Sequence, residues 1–205
     1  MQYICLTVGR LLTNCYIVYD LNNRGVVIDP GDNACRILNT VESNQLSIEH
    51  IILTHVHFDH MLAAGQVKDA TSADLLVPAG DIQALNDSKR SLLFMSGLDS
   101  LPLKADGTFG HRDVIKAGQL LFTVIHTPGH TPGSCCFISG DLLFTGDTLL
   151  AGGFGRTDLG GDNRAMRSSL LRLSGLERDY TVLPGHGDKT TLEKERNANP
   201  YMSAL

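Results

Sequence analysis

The sequence predicts an α/β protein on two observations. Short runs rich in Val, Ile and aromatic residues, bounded by turn residues, alternate with segments of helical spacing. The composition also supports a core without staples, the 205 residues being 42% hydrophobic and 19% charged. No Pro/Ser-rich linker, low-complexity run or fixed-period repeat interrupts the chain, so one domain is expected over 1–205. Periodicity alone leaves open whether the strands form one parallel sheet or a sandwich of two.

Taken in order, Tyr3 to Val8 and Cys15 to Tyr19 have strand composition, with a turn expected around Thr13-Asn14. Val26-Val27-Ile28 reads as a short buried strand that ends on the turn Asp29-Pro30-Gly31. Ala34 to Ser43 has helical spacing, with Ile37, Leu38 and Val41 on one face. His50 to Leu53 reads as an interior strand, and Asp59 to Lys68 as a helix directly behind it. Between Leu75 and Asp113 the expected elements are a strand at Leu75 to Val77 and short helices at Asp81 to Asn86 and Ser91 to Ser96. A long polar loop follows, of the kind that often serves function. Strands return at Leu120 to Ile125, Cys135 to Ile138, Leu142 to Thr145 and Thr181 to Leu183. Helices are expected at Arg164 to Leu173 and Thr191 to Asn197.

The formal net charge of -5, with Lys89-Arg90 as the longest basic cluster, argues against a nucleic-acid partner. Met1 to Cys5 lacks a basic flank and its apolar run breaks at Gly9-Arg10, so neither signal peptide nor membrane span is expected. The chain reads as cytoplasmic, and nothing in it sets an oligomeric state. Its five cysteines form no framework and are expected as buried free thiols. If Cys135 and Cys136 lie in a strand, their thiols point to opposite faces.

The segment Thr54-His55-Val56-His57-Phe58-Asp59-His60 carries the chemistry. His55 and His57, two apart on a chain leaving a strand, face the same side. Asp59 and His60 follow at a helix start, where they curl back over the same cavity. Burying so many donors is costly unless they bind something, and a divalent ion such as zinc accepts both imidazole nitrogen and carboxylate oxygen. Three later residues stand at strand-to-loop junctions flanked by Gly or Pro: His130, Asp147 and His186. Small neighbours let the backbone bring a ligand close to a buried ion. His50 and His111 read as surface or loop residues, and His126 as a packed strand histidine. No Gly-x-Ser-x-Gly nucleophile elbow is present.

The order His-x-His-x-Asp-His, Gly-His, Gly-Asp-Thr and Pro-Gly-His-Gly resembles the metallo-β-lactamase superfamily, and most closely its glyoxalase II-like hydrolases. Asp29-Pro30-Gly31, the stretch Gly152 to Asp158 and the terminal run Thr190 to Tyr201 resemble that group's single-domain bacterial members. The resemblance implies a four-layer αββα sandwich of two mixed sheets with a two-metal site along one edge. It implies that His55, His57 and His130 hold one ion, that Asp59, His60 and His186 hold the other, and that Asp147 bridges them. Asp29 matches the family's Asp that orients ligands without binding metal. The ions are expected to be zinc, with iron or manganese also accepted by such donors.

A hydroxide held between the ions would attack an acyl carbonyl, with Asp59 and His60 catalytic through it. The expected substrate is a small thioester of the hydroxyacylglutathione type, with Phe154 and Arg156 as substrate contacts. Two departures bear on glutathione: no C-terminal helical domain follows Pro200, and Arg156 and Asp158 stand where relatives place Lys and Tyr. The competing expectation is a persulfide dioxygenase, which uses one iron on the same scaffold. A nuclease is opposed by the missing basic face, a structural metal module by the excess of ligands, and an antibiotic-degrading β-lactamase by the missing signal peptide.

Overall fold

Strands that follow one another in the chain lie side by side. The computed structural model describes residues 1–202, so the last three positions of the domain expected over 1–205 lie outside the described residues. β1 (Gln2–Val8), β2 (Thr13–Tyr19), β3 (Arg24–Ile28), β4 (Ser47–Ile52), β5 (Asp74–Pro78) and β6 (Gly107–Phe109) form one sheet in that order. Pairing is antiparallel from β1 to β3 and parallel from β3 to β6. β7 (Val114–Ala117), β8 (Leu120–His126), β9 (Cys135–Ser139), β10 (Leu142–Gly146), β11 (Thr181–Pro184) and β12 (Thr190–Thr191) form the second, also in chain order. All its pairs are antiparallel except β10 with β11.

Alternation along the strands builds three apolar layers. In β2, Cys15 and Ile17 face α1 (Ala34–Ser43) and α3 (Ala64–Thr71), while Tyr16 and Val18 face the second sheet. Between the sheets lie Phe122, Phe137 and Phe144, all essentially sealed from water; each such burial stabilises by about 1.5–3 kcal/mol. Outside the second sheet, Met166, Leu170 and Leu173 of α4 (Asn163–Ser174) and Leu192, which opens α5 (Leu192–Ala198), cover Cys136, Leu143 and Val182. The result is a four-layer αββα sandwich, and the thiols of Cys135 and Cys136 do fall in different layers. Asp162 caps α4 by accepting from the Ala165 N–H at 2.7 Å.

Several expectations are corrected. The helix expected over Asp59 to Lys68 is broken into α2 (Phe58–Met61) and α3. The Ala63 N–H donates instead to Pro30 O at 3.0 Å, and an ideal Cβ on Gly31 would stand 1.7 Å from the Asp59 carbonyl oxygen. Close approach of the Asp29-Pro30-Gly31 turn therefore diverts the chain. Thr13 and Asn14 belong to β2 rather than to a turn. The expected helices at 81–86 and 91–96 reduce to 3₁₀ turns at Ala79–Asp81 and Leu93–Ser96. β6 and β7 had no legible signal. His50 lies within β4, half-buried, and hydrogen-bonds through Nε2 to Lys116 O at 3.1 Å. Cys5 and Cys35 are exposed, the first in the middle of edge strand β1 and the second in the first turn of α1. No helix among the described residues is long and apolar enough to cross a membrane.

Candidate metal centre

β4, β8, β10 and β11 all run out on one edge of the sandwich, and each delivers a donor there. The chain leaving β4 presents His55, His57, Asp59 and His60; the loops after β8, β10 and β11 present His130, Asp147 and His186. Their ligand atoms fall into three overlapping groups, each within 4.8 Å: His55 with His57 and His130; His55 with His60 and Asp147; and Asp59 with His60 and His186. The structure thus brings together every residue expected at the metal. Asp147 stands between the two halves, its oxygens 3.5 Å from His130 Nε2 and 3.6 Å from the Nε2 atoms of His60 and His186. Asp59 Oδ2 lies 3.2 Å from His186 Nε2 and accepts from Thr13 Oγ1 at 3.0 Å.

Four of the five rings are turned by a neighbour so that the other nitrogen faces the cluster. A carbonyl oxygen can only accept, so His130 Nδ1 donates to Arg156 O at 2.6 Å and His186 Nδ1 to Leu11 O at 3.1 Å. Nε2 is then the free donor atom of both. On the other side Asp29 does this work. Its Oδ1 accepts the Thr54 N–H and its Oδ2 the Thr54 hydroxyl, both at 2.7 Å. Oδ2 also lies 2.9 Å from His60 Nδ1, and the Thr54 hydroxyl lies 3.0 Å from His55 Nδ1. One buried carboxylate therefore orients His60 directly and His55 through a threonine. The resemblance implies an orienting part for Asp29 but none for Thr54, since a threonine ahead of a histidine carries no signal of a relay.

Does a cation fit here? Among the described residues, His55 Nε2 and Asp147 Oδ1 are buried with no hydrogen-bond partner; each such orphan costs about 1–3 kcal/mol. His57 Nδ1 and His130 Nε2 face each other at 2.8 Å. Two orphaned acceptors and converging imidazole lone pairs are what divalent cations satisfy, so the donor set fits. Electrostatics divide the cluster. Burial, reinforced by neighbouring histidines, holds His55 well below the usual imidazole range and His57 down to about 3. Burial also opposes charge on His60, yet Asp59, Asp29 and Asp147 outweigh it and push His60 up to about 10. Asp59 is held low despite its burial by His60 and His186. Positive charge is thus favoured on His60 beside Asp59, Asp29 and Asp147, and disfavoured on His55 and His57.

Gly185 is required at this edge: an ideal Cβ there would lie 2.3 Å from Asp147 Oδ1 and 2.8 Å from His60 Cε1. Asn14 holds the same loop, donating to Pro184 O at 3.0 Å and Gly187 O at 2.9 Å. Removing the orienting carboxylate gives a direct prediction. Asp29→Ala should weaken metal binding by about 10–100-fold, the usual penalty for losing an orienting partner. Competition with a chromogenic chelator measures it, and an unchanged curve would remove Asp29 from this role.

Two cavities flank the cluster. One of about 590 Å³ is lined by His57, His130, Leu92, Leu159, Lys89 and Arg90, among others. The other, of about 310 Å³, lies beside Asp59 with Arg10, Leu11, Phe58 and Met95. The segment after β5, the least legible in sequence, therefore walls the site. Phe154 and Arg156, expected as substrate contacts, line neither cavity. Phe154 packs edge-on against Tyr201 with ring centroids 4.6 Å apart, and Arg156 pairs with Asp158 through two contacts of 2.7 and 2.6 Å.

The chain is similar over nearly its whole length to several known proteins. Among curated relatives, hydroxyacylglutathione hydrolase GloC of Haemophilus influenzae is 32% identical, covering 100% of this chain and 99% of its own. The solved B3 metallo-beta-lactamase BLEG-1 superposes with a TM-score of 0.90 at 32% identity, covering 98% of this chain and 100% of its own. TTHA1623, solved in a di-iron-bound form, gives 0.84 at 33% identity over 97% and 99%. ETHE1 from Myxococcus xanthus gives 0.83 at 32% identity over 100% and 85%. The family model described as the metallo-beta-lactamase superfamily matches residues 8–186, and the chain belongs to that superfamily.

Proposed function

We propose that this protein is a binuclear metal-dependent thioesterase acting on thioesters of the hydroxyacylglutathione type. The observation that carries the reading is Asp147, which stands within 3.6 Å of a nitrogen from each half of the donor cluster. His55, His57 and His130 would hold one ion and Asp59, His60 and His186 the other, with Asp147 shared. Divalent ions so placed supply an acidic water and a Lewis acid for the carbonyl oxygen. The chain's own residues do the rest. Asp29 and Thr54 fix His60 and His55, while the carbonyls of Arg156 and Leu11 fix His130 and His186. Leu92 and Leu159 give the larger cavity an apolar wall that limits bulk water at the reacting carbonyl. A thiol of pKa about 8.5 departs as its thiolate, so no protein acid need protonate it. The full-length similarity to GloC supports the thioester substrate.

Zinc suits this donor set, and the di-iron form of TTHA1623 supports iron equally. The likeness to ETHE1 is compatible with the second reading, a persulfide dioxygenase with one iron. One experiment separates them: thiol release from S-lactoylglutathione by metal-loaded protein, with and without chelator, beside metal analysis. The expected result is two ions per chain and release abolished by the chelator. No release from a two-ion protein would remove this substrate class. One iron per chain with persulfide-dependent oxygen uptake would establish the dioxygenase instead. A cephalosporin assayed alongside tests for the activity named in the BLEG-1 structure.

A further inference from the structure

The larger cavity carries a pair of cations that are only loosely engaged among the described residues. It runs from His57 and His130 at the donor cluster to Lys89 and Arg90 at an exposed rim. We propose that this cavity receives the thiol arm of the substrate and that Lys89 and Arg90 bind a carboxylate carried on that arm, a specificity that rests on the thioesterase reading above.

Three features support it. First, the turn that bears both cations is fixed: Asp87 Oδ1 accepts the backbone N–H groups of Lys89 at 2.9 Å and Arg90 at 3.1 Å. Second, the cations are available. The Lys89 ammonium has no hydrogen-bond or ion-pair partner among the described residues. The Arg90 guanidinium makes only long contacts, 3.5 Å to Gln83 Oε1 and 3.7 Å to Asp87 Oδ2. Arg156 contrasts with them, because its planar fork is already filled by Asp158. Third, the acidic lining residue of the cavity faces away from them, so only Asp87, at 3.7 Å from Arg90, offsets their charge. Asp81, the acidic residue of the wall, turns inward and accepts from Thr131 Oγ1 and the Gly133 N–H, both at 2.7 Å. Two free cations suit one or two carboxylates; a polyphosphate arm would bring more charge than this rim carries. Arg90 can grip a carboxylate with two parallel N–H bonds and Lys89 can add a point charge.

The test compares metal-loaded wild type with the double variant K89A/R90A. Substrates are the lactoyl thioesters of glutathione (carboxylates), of N-acetylcysteamine (no charge) and of coenzyme A (phosphates). The preference in kcat/KM for the glutathione over the N-acetylcysteamine thioester should fall at least tenfold, chiefly through KM. It should fall further in K89E/R90E and be kept in K89R. An unchanged preference would overturn the subsite while leaving the thioesterase reading intact. A larger loss toward the coenzyme A thioester would overturn the carboxylate in favour of phosphate. Titration calorimetry with S-methylglutathione, which cannot be hydrolysed, separates the two claims. If no thioester is cleaved but this ligand binds about tenfold more weakly to K89A/R90A, the reaction fails and the subsite stands. If wild type neither cleaves nor binds, both fail.

Discussion

Asp147→Ala is expected to fold, to retain at most one ion per chain, and to lose activity by at least about 10²–10³-fold, the scale of removing one preorganised electrostatic group. The side chain sits at the end of β10 with Oδ1 buried and unpartnered and Oδ2 directed at His130 and His186. Among the described residues no other carboxylate lies within 4 Å of a ring nitrogen from each half, so its loss leaves His55, His57 and His130 apart from Asp59, His60 and His186. Among the described residues no hydrogen bond runs through the Asp147 carboxylate, and far-UV circular dichroism should be unchanged. Metal analysis and thiol release read the two effects separately, with His57→Ala as a companion that strips a donor from one half alone. Full activity in a metal-free Asp147→Ala protein would sink the shared-ligand assignment.

Gly31→Ala is the second large effect, and it acts on stability. An added Cβ would collide with the Asp59 carbonyl oxygen at 1.7 Å, a backbone atom that moves only if α2 moves. The neighbouring Pro30 O–Ala63 N–H bond ties the same two segments together, so relaxation breaks it or pushes Asp59 and His60 off the cluster. Overpacking of this kind costs about 3 kcal/mol or more, which for a chain of this size lowers Tm by roughly 6–12 °C. Differential scanning calorimetry on the ion-free protein isolates the packing cost. A melting point within about 2 °C of wild type would show that the turn yields.

The donor cluster was legible because its spacing is local: His55 and His57 alternate out of a strand, and Gly or Pro beside His130, Asp147 and His186 marks tight turns. The strands that bear them were legible because Val, Ile and Phe recur where both faces are buried. Asp59 to Lys68 misled because its helical spacing is real, whereas the break comes from Pro30 and Gly31, distant in sequence and close in space. β6 and β7 are edge strands with few buried positions, too short to show a period. In sequence Lys89 and Arg90 stand out only as the longest basic cluster. Their placement over the cluster depends on how the segment after β5 folds back, and no local pattern encodes that. Arg156, the anion contact that the resemblance implies, pairs with Asp158 two residues on.

The unequal way the rings are anchored has an evolutionary consequence. His130 and His186 lean on main-chain carbonyls, those of Arg156 and Leu11, which every residue type possesses. Side chains at these positions can therefore drift without detuning the donors. Leu11 lines one cavity, and Arg156 lies a short step ahead of Leu159 in the wall of the other. His55 and His60 depend instead on the side chains of Thr54 and Asp29, where drift is not tolerated. Anchoring through side chains thus fixes the residue types needed at 29 and 54, whereas anchoring through carbonyls leaves the side chains at 11 and 156 free to change without moving the donors.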